Sequence, residues 1–220
     1  EPGSQVMLDG KPLRIDAHSG RFVFGIHRDR TKPFSLEINY RDGRREIRSL
    51  PVRVRDYDIE RIDGLPPRKV TPDANDLERI HREARLISAA RARDSESPLF
   101  EAGFSWPVTG RISGRYGNQR ILNGKPRRPH LGIDIAAPRG TSVLASAPGV
   151  VVLAESDMFY TGGTVVVDHG HGLTTIYSHL ERVDVGNGQQ VVTGAQIGTV
   201  GSTGRSTGPH LDWRINWFDV

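Results

Sequence analysis

Three histidines and two aspartates in the C-terminal half are the residues best suited to chemistry by type and spacing: His130, Asp134, His179, His210 and Asp212. On a β-strand, residues two apart share a face and lie about 7 Å apart, so His210 and Asp212 can point into one site. His130 and Asp134 are separated by about 13 Å in an extended chain, and they can reach one ion only if the chain bends. The glycine between them permits such a bend.

The chemistry that these residue types allow is that of a catalytic metal ion. The sequence has no cysteine, so a metal site must use histidine and carboxylate ligands. Three such ligands and one open position are typical of catalytic zinc, which polarises carbonyl groups and lowers the pKa of water. We expect His130, Asp134 and Asp212 to bind one Zn²⁺ per chain. His179 and His210 remain as candidates for proton transfer and oxyanion stabilisation.

The other five histidines are interpreted as structural. His169 and His171 also form an i, i+2 pair, but the glycines beside them indicate a turn. His18, His27 and His81 lie outside the histidine-rich half and are expected on the surface.

Three sequence blocks resemble the successive signature blocks of the lysostaphin/LytM-type zinc metallopeptidases. They are HLGIDIAAP at 130–138, YSHL at 177–180 and TGRSTGPHLDW at 203–213, and the likeness covers about residues 104–217. The resemblance implies a β-sheet groove that holds zinc and binds a peptide containing glycine or D-amino acids. It also implies that His130 and Asp134 are metal ligands and that His179 and His210 orient water and stabilise the transition state.

One position departs from the family pattern. The usual H-x-H block supplies a histidine as the third ligand, whereas this sequence has Asp212 there. Aspartate can bind zinc, but it is shorter than histidine, and two carboxylates would nearly neutralise the ion. A weaker Lewis acid or a different preferred metal would follow.

The function that this resemblance implies is that of a zinc-dependent endopeptidase that cuts the peptide cross-links of bacterial peptidoglycan. Its partners would be the stem peptides, in the periplasm or cell envelope after export. The alternative is a non-catalytic envelope protein that binds peptidoglycan, or activates a cell-wall amidase, through a degenerate groove. A carrier domain with a swinging arm is excluded, because no lysine follows Lys125 to carry the prosthetic group.

The composition sets outer bounds on these functions. The net charge of +4 is mildly basic; it could favour approach to nucleic acid, anionic lipid or an anionic polymer such as a cell wall, and it selects none of these. No nucleic-acid-binding signature accompanies the charge, so no nucleic-acid partner is expected. No apolar run approaches the ~20 residues of a membrane span, so no transmembrane segment is expected in this chain.

The elements that must position these residues are mainly β. Alternating runs at 22–24, 34–40 and 52–55 predict a small N-terminal β domain, residues 1–66. Residues 67–103 are expected to form a linker and an amphipathic helix over about 73–93. In that helix, Thr71 is the predicted cap, and Leu77, Ile80, Ala84 and Ile87 form the apolar face. Short apolar runs at 143–145, 150–152, 164–167, 174–177 and 196–200 predict an antiparallel β-sheet peptidase domain, residues 104–220.

Two further expectations concern the surroundings of the site. The basic stretch at 118–128 is either a loop that contacts an anionic substrate or a solvated loop. The N-terminal β domain and the helix have no motif of their own, and we hypothesise that they cover the groove until they are displaced.

Overall fold

Strands account for most of the regular structure. A computed structural model describes residues 1–220, with 38% of the residues in strands and 12% in helices. None of its helices combines the length and apolar character that a membrane span requires.

The first half of the chain forms a four-stranded antiparallel sheet, one further strand and the helices. These elements are β1 (Gln5–Leu8), β2 (Lys11–Leu13), β3 (Phe34–Asn39), β4 (Arg45–Leu50), β5 (Ile59–Ile62), α1 (Pro67–Val70), α2 (Ala74–Arg91) and a 3₁₀ turn (Leu99–Ala102). The second half contains β6 (Arg111–Gly114), β7 (Gln119–Leu122), β8 (Lys125–Pro126), β9 (Ile133–Ala136), β10 (Ser142–Leu144), β11 (Gly149–Met158), β12 (Gly162–Asp168), β13 (Leu173–Val183), β14 (Gln190–Val191), β15 (Gln196–Val200) and β16 (His210–Trp217).

The N-terminal sheet has the strand order β2-β1-β3-β4. Asp9 and Gly10 join β1 to β2, and both have positive φ, as a two-residue type I′ hairpin turn requires. The sheet packs a small core around Phe34 and Leu36. The prediction of strands at 22–24 and 52–55 is wrong, because neither segment pairs with another strand. Both segments instead contribute side chains to the edge of this core, namely Phe22, Phe24 and Val52.

The C-terminal sheet has nine strands and carries the main core. Its order is β14-β11-β12-β13-β16-β9-β6, and β15 pairs with both β13 and β10. All of these pairs are antiparallel, and each of the five predicted runs overlaps a strand. Val143, Val165, Val167 and Leu211 are fully buried in the core that this sheet encloses.

A third sheet links the two halves of the chain. β5 pairs with β7 in parallel, and β7 pairs with β8 in an antiparallel hairpin. The basic stretch at 118–128 is therefore mostly this hairpin, and the expectation of a loop is wrong. Local sequence patterns do not predict a strand pair between residues 60 positions apart, since each strand is short and its partner is distant.

The predicted helix is present, but its start and its buried face differ from the prediction. Asp73 caps α2 by accepting a hydrogen bond from the Asp76 amide at 2.8 Å, whereas Thr71 ends α1. Leu77 and Ala84 of the predicted apolar face are exposed, and Ile87 and Ala90 pack on the C-terminal sheet. The first half of α2 is held by polar contacts, because Glu83 accepts the Phe159 amide and Arg79 donates to the Asp157 carbonyl.

Candidate metal centre and active site

Three adjacent strands set the floor of the site. Asp212 on β16 lies opposite Asp134 on β9 and opposite Ser178 on β13, so these residues share one face of the sheet. Their chain neighbours Leu211 and Tyr177 point to the other face and are fully buried in the core. Strand alternation thus aims the two carboxylates at a common point, and both aspartates are buried.

His130 enters the site from the loop before β9. Its amide donates to the Asn118 carbonyl at 2.9 Å, and its carbonyl accepts from the Gly117 amide at 2.7 Å. These bonds fix the backbone of His130, whose side chain is 1% exposed. Its Nε2 lies 3.1 Å from Asp134 Oδ1. One donor atom each from His130, Asp134 and Asp212 lie within 4.8 Å of one another, so the structure brings the three predicted ligands together.

His179 reaches the same point through an irregularity in β13. The register between β12 and β13 shifts between the pairs Gly163–Leu180 and Val165–Tyr177, which marks a bulge. In a regular strand His179 would share the core face of Tyr177. The bulge, with a φ of 65° at His179, instead places its ring 4.7 Å from that of His210.

Backbone carbonyls orient both of these imidazoles. Nδ1 of His179 lies 2.8 Å from the Thr203 carbonyl, and Nδ1 of His210 lies 2.8 Å from the Gly208 carbonyl. A carbonyl only accepts hydrogen bonds, so each Nδ1 donates its proton, and in the neutral form of either ring Nε2 carries the lone pair. Burial, and then the neighbouring His210, lower the pKa of His179 to about 4. His179 is therefore neutral at pH 7 and can accept a proton.

Each aspartate is also paired with an arginine that the sequence did not single out. Arg214 donates from Nε to Asp212 Oδ1 at 3.0 Å and from Nη2 to Oδ2 at 2.5 Å. Arg120 donates to Asp134 Oδ2 and to Glu60 Oε2, the latter at 3.1 Å. Burial alone would raise the pKa of Asp212, but Arg214 outweighs it and holds that pKa below its ordinary value. Burial also opposes the lowered pKa of Asp134, which the neighbouring His130 and Arg120 maintain.

Two glycines make room for these ion pairs. A Cβ on Gly132 would lie 2.6 Å from Arg214 Cγ and 2.7 Å from Asp212 Oδ1. A Cβ on Gly114 would overlap the Asp134 carboxylate. Gly132 lies outside the positive-φ region, so its absence of a side chain provides space beside Asp212.

An open pocket lies over the site. Asp134, His179 and His210 lie in its lining, whereas His130 and Asp212 are buried beneath it. Its remaining walls are formed by Glu60, Ile62, Leu65, Ser113, Arg120, Leu122, Arg205, Ser206 and Thr207.

The remaining histidines lie where the sequence analysis expected. His169 bonds the Pro148 carbonyl and Thr175 Oγ1, each at 2.7 Å, and His171 bonds the Glu96 carbonyl at 2.9 Å. His18, His27 and His81 are exposed.

Comparison with known proteins identifies the family of the chain. The model of peptidase family M23 matches residues 128–219. A solved structure of an M23 protein from Pseudomonas aeruginosa is 33% identical and superposes with a TM-score of 0.75, covering 100% of this chain and 86% of that one. The chain belongs to peptidase family M23, as the signature blocks predicted.

Two curated relatives carry names that concern the cell wall and cell division. Peptidoglycan DD-endopeptidase ShyA of Vibrio cholerae is 42% identical over 106 residues, which is 48% of this chain and 24% of that protein. Cell division protein DipM of Caulobacter vibrioides is 35% identical over 136 residues, covering 60% of this chain and 22% of that protein. The chain thus matches about a quarter or less of the length of these relatives.

Proposed function

We propose that this protein is a zinc-dependent endopeptidase that hydrolyses the peptide cross-links of bacterial peptidoglycan, acting in the periplasm or cell envelope after export. One observation carries the proposal: the donor atoms of His130, Asp134 and Asp212 converge within 4.8 Å beside two imidazoles that each present a free Nε2. The family membership of the chain and the name of the Vibrio relative support the same reaction.

The donor set fits a zinc ion. His130 Nε2 and Asp134 Oδ1 lie 3.1 Å apart, but their geometry is not that of a hydrogen bond. Both buried atoms therefore lack a hydrogen-bond partner, which is costly unless a bound ion satisfies them. Imidazole nitrogen and carboxylate oxygen are ligands that zinc accepts, and His130, Asp134 and Asp212 would hold it. Zinc bound there would polarise the scissile carbonyl and make water more acidic.

The two remaining imidazoles would move protons. A neutral His179 can take a proton at Nε2 from the attacking water. The protonated imidazole can then give that proton to the leaving amine as the C–N bond breaks. His210 Nε2 lies 3.8 Å from Asp134 Oδ1 and faces the same pocket, so once protonated it could donate to the developing oxyanion.

The pocket suits a peptide that bears a carboxylate. Arg205 lies in its lining, stacked 4.2 Å from the centre of the Tyr160 ring, and it has no carboxylate partner. Ser206 and Thr207 add hydroxyl groups beside it. These side chains could bind the carboxylate and backbone groups of a stem peptide.

The test is the digestion of purified cross-linked muropeptides at one zinc equivalent, followed by mass spectrometry. We expect cross-linked dimers to become monomers, and chelator to stop the reaction. His179→Ala should lower the rate about 100-fold or more, because a general base contributes on that scale. The exposed His81→Ala serves as the matched control and should leave the rate unchanged. Dimers that survive at stoichiometric zinc would overturn the proposal.

A second candidate, a non-catalytic peptidoglycan-binding or amidase-activating protein, is favoured by the arginines. Arg214 occupies both oxygens of Asp212, and Arg120 occupies one oxygen of Asp134, so each carboxylate already has a cationic partner without a metal ion. The metal content of the dialysed protein separates the two candidates: the enzyme keeps about one zinc ion per chain, whereas the binding protein need keep none.

A further inference from the structure

We propose that Asp212 and Arg214 act together as one electrically neutral metal donor, which takes the place of the imidazole that lysostaphin/LytM-type proteins usually carry at position 212. The inference rests on the proposed metal site and explains how an aspartate can serve there.

The geometry of the pair supports this role. Arg214 contacts both oxygens of Asp212 side-on, at 3.0 and 2.5 Å. The Asp212 side chain is 3% exposed and the Arg214 side chain is 31% exposed, so part of the arginine reaches solvent while the aspartate is buried. A carboxylate has about four lone-pair positions, and a bidentate arginine uses two of them. The oxygens therefore retain lone pairs for an ion.

The charges around the site point the same way. A neutral imidazole adds no charge to a metal site, whereas a bare second carboxylate adds one negative charge. Arg214 cancels that charge at Asp212, and Arg120, shared with Glu60, forms a neutral pair beside Asp134. Three carboxylates and two guanidiniums leave one net negative charge, which equals that of a donor set with two histidines and one aspartate. An ion bound here would keep the Lewis acidity that an unpaired second carboxylate would weaken.

The local sequence builds this pair into the fold. Arg214 follows Asp212 by two residues on β16, as Asp212 follows His210, so all three share one face of the strand. Gly132 leaves the space that the pair fills, since a Cβ there would lie within 2.7 Å of both side chains.

A double-mutant cycle on zinc affinity tests the inference. The variants are Asp212→His, Arg214→Gln and the two combined, each titrated with Zn²⁺ against a chromophoric chelator and with Co²⁺ by absorption. Asp212→His alone leaves the Arg214 cation beside the metal site without its carboxylate partner, so zinc affinity should fall about tenfold or more. Adding Arg214→Gln should restore the affinity to within about threefold of wild type. The control pair Asp212→His/Arg139→Gln removes one exposed arginine elsewhere and should give no recovery.

The outcomes separate this inference from the function itself. If Asp212→His binds zinc as tightly as wild type, or if Arg214→Gln gives no recovery, the neutral-donor inference is wrong. Arg214→Gln alone should bind zinc at least as tightly as wild type, because it removes a repelling charge. A tenfold loss there would mean that Arg214 only orients Asp212, and it would overturn the inference even if the histidine variant fails to fold. A wild-type protein that binds no zinc would overturn the proposed function as well.

Discussion

His179 combines a left-handed backbone with a ring buried against another imidazole. Both features cost free energy, and neither contributes to the core. Such strain is typical of residues that a site holds in place for chemistry. A carbonyl fixes its tautomer, and burial keeps it neutral, so the cost is consistent with the role of a general base.

The buried state of His179 predicts a pH dependence of stability. Its folded-state pKa of about 4 lies below the ordinary value of 6.5, so the unfolded chain binds more protons between these pH values. The contribution of His179 is complete above pH 6.5 and is lost as the pH falls to about 4, by at most on the order of 3 kcal/mol. Urea unfolding of the metal-free protein at several pH values measures it.

A matched pair of variants assigns this effect. Asparagine tolerates positive φ, so His179→Asn should keep the fold and flatten the pH dependence. The exposed His18→Asn should retain the wild-type dependence. An unchanged slope in His179→Asn would contradict the assignment. Some dependence remains in either case, because burial also lowers the pKa of His169.

Residue types and spacing predicted the convergence of His130, Asp134 and Asp212, but not their ion-pair partners. Arg214 could have been found from strand alternation, since it lies two residues beyond Asp212. Glu60 and Arg120 could not, because a parallel strand pair between distant segments brings them to Asp134. The backbone conformation of His179 could not be predicted from the sequence either, since a regular strand would place its ring in the core.

At the scale of elements, the site depends on close contact between the loop before β9 and strand β16. Gly132→Ala should push the Asp212 and Arg214 side chains away from residue 132, because the added Cβ would lie 2.6 Å from Arg214 Cγ. We expect a loss of about 1–3 kcal/mol in unfolding free energy, together with weaker zinc binding. Denaturant unfolding and zinc titration measure the two effects. Gly186→Ala meets no atom within 4 Å and should change neither; equal effects in both variants would refute this explanation.

The C-terminal strands were predictable because their apolar runs are buried on a continuous sheet. The N-terminal runs at 22–24 and 52–55 carry similar residues, but the structure uses them as extended segments that pack their side chains without ladder bonds. The predicted apolar face of α2 is wrong at Leu77 and Ala84, because polar contacts rather than apolar packing hold the first half of the helix.

At the scale of the whole molecule, the N-terminal half contributes to the pocket through a single segment. Glu60, Ile62 and Leu65 line one wall, while the four-stranded sheet and α2 lie elsewhere. If the N-terminal half covers the groove, as hypothesised from the sequence, residues 59–65 are the part that does so. This segment would then have to move before a substrate could bind.

A disulfide can test whether this wall moves. Arg61 on β5 pairs with Ile121 on β7. The chain has no native cysteine that could compete with an engineered pair at these positions. Adjacent strands bring Cα atoms within disulfide range, so Arg61→Cys/Ile121→Cys should lock the segment when oxidised. If the segment gates the pocket, muropeptide cleavage should fall severalfold on oxidation and recover on reduction. Equal rates in both states would identify a fixed wall. The two single-cysteine variants are the controls.

The account depends most on one ion shared by three side chains from the loop before β9, from β9 and from β16. Anomalous diffraction at the zinc edge, from crystals grown with one zinc equivalent, locates that ion directly. We predict a single strong peak about 2.0–2.2 Å from His130, Asp134 and Asp212. A peak elsewhere, or density at this point without anomalous signal, would contradict the proposed metal centre.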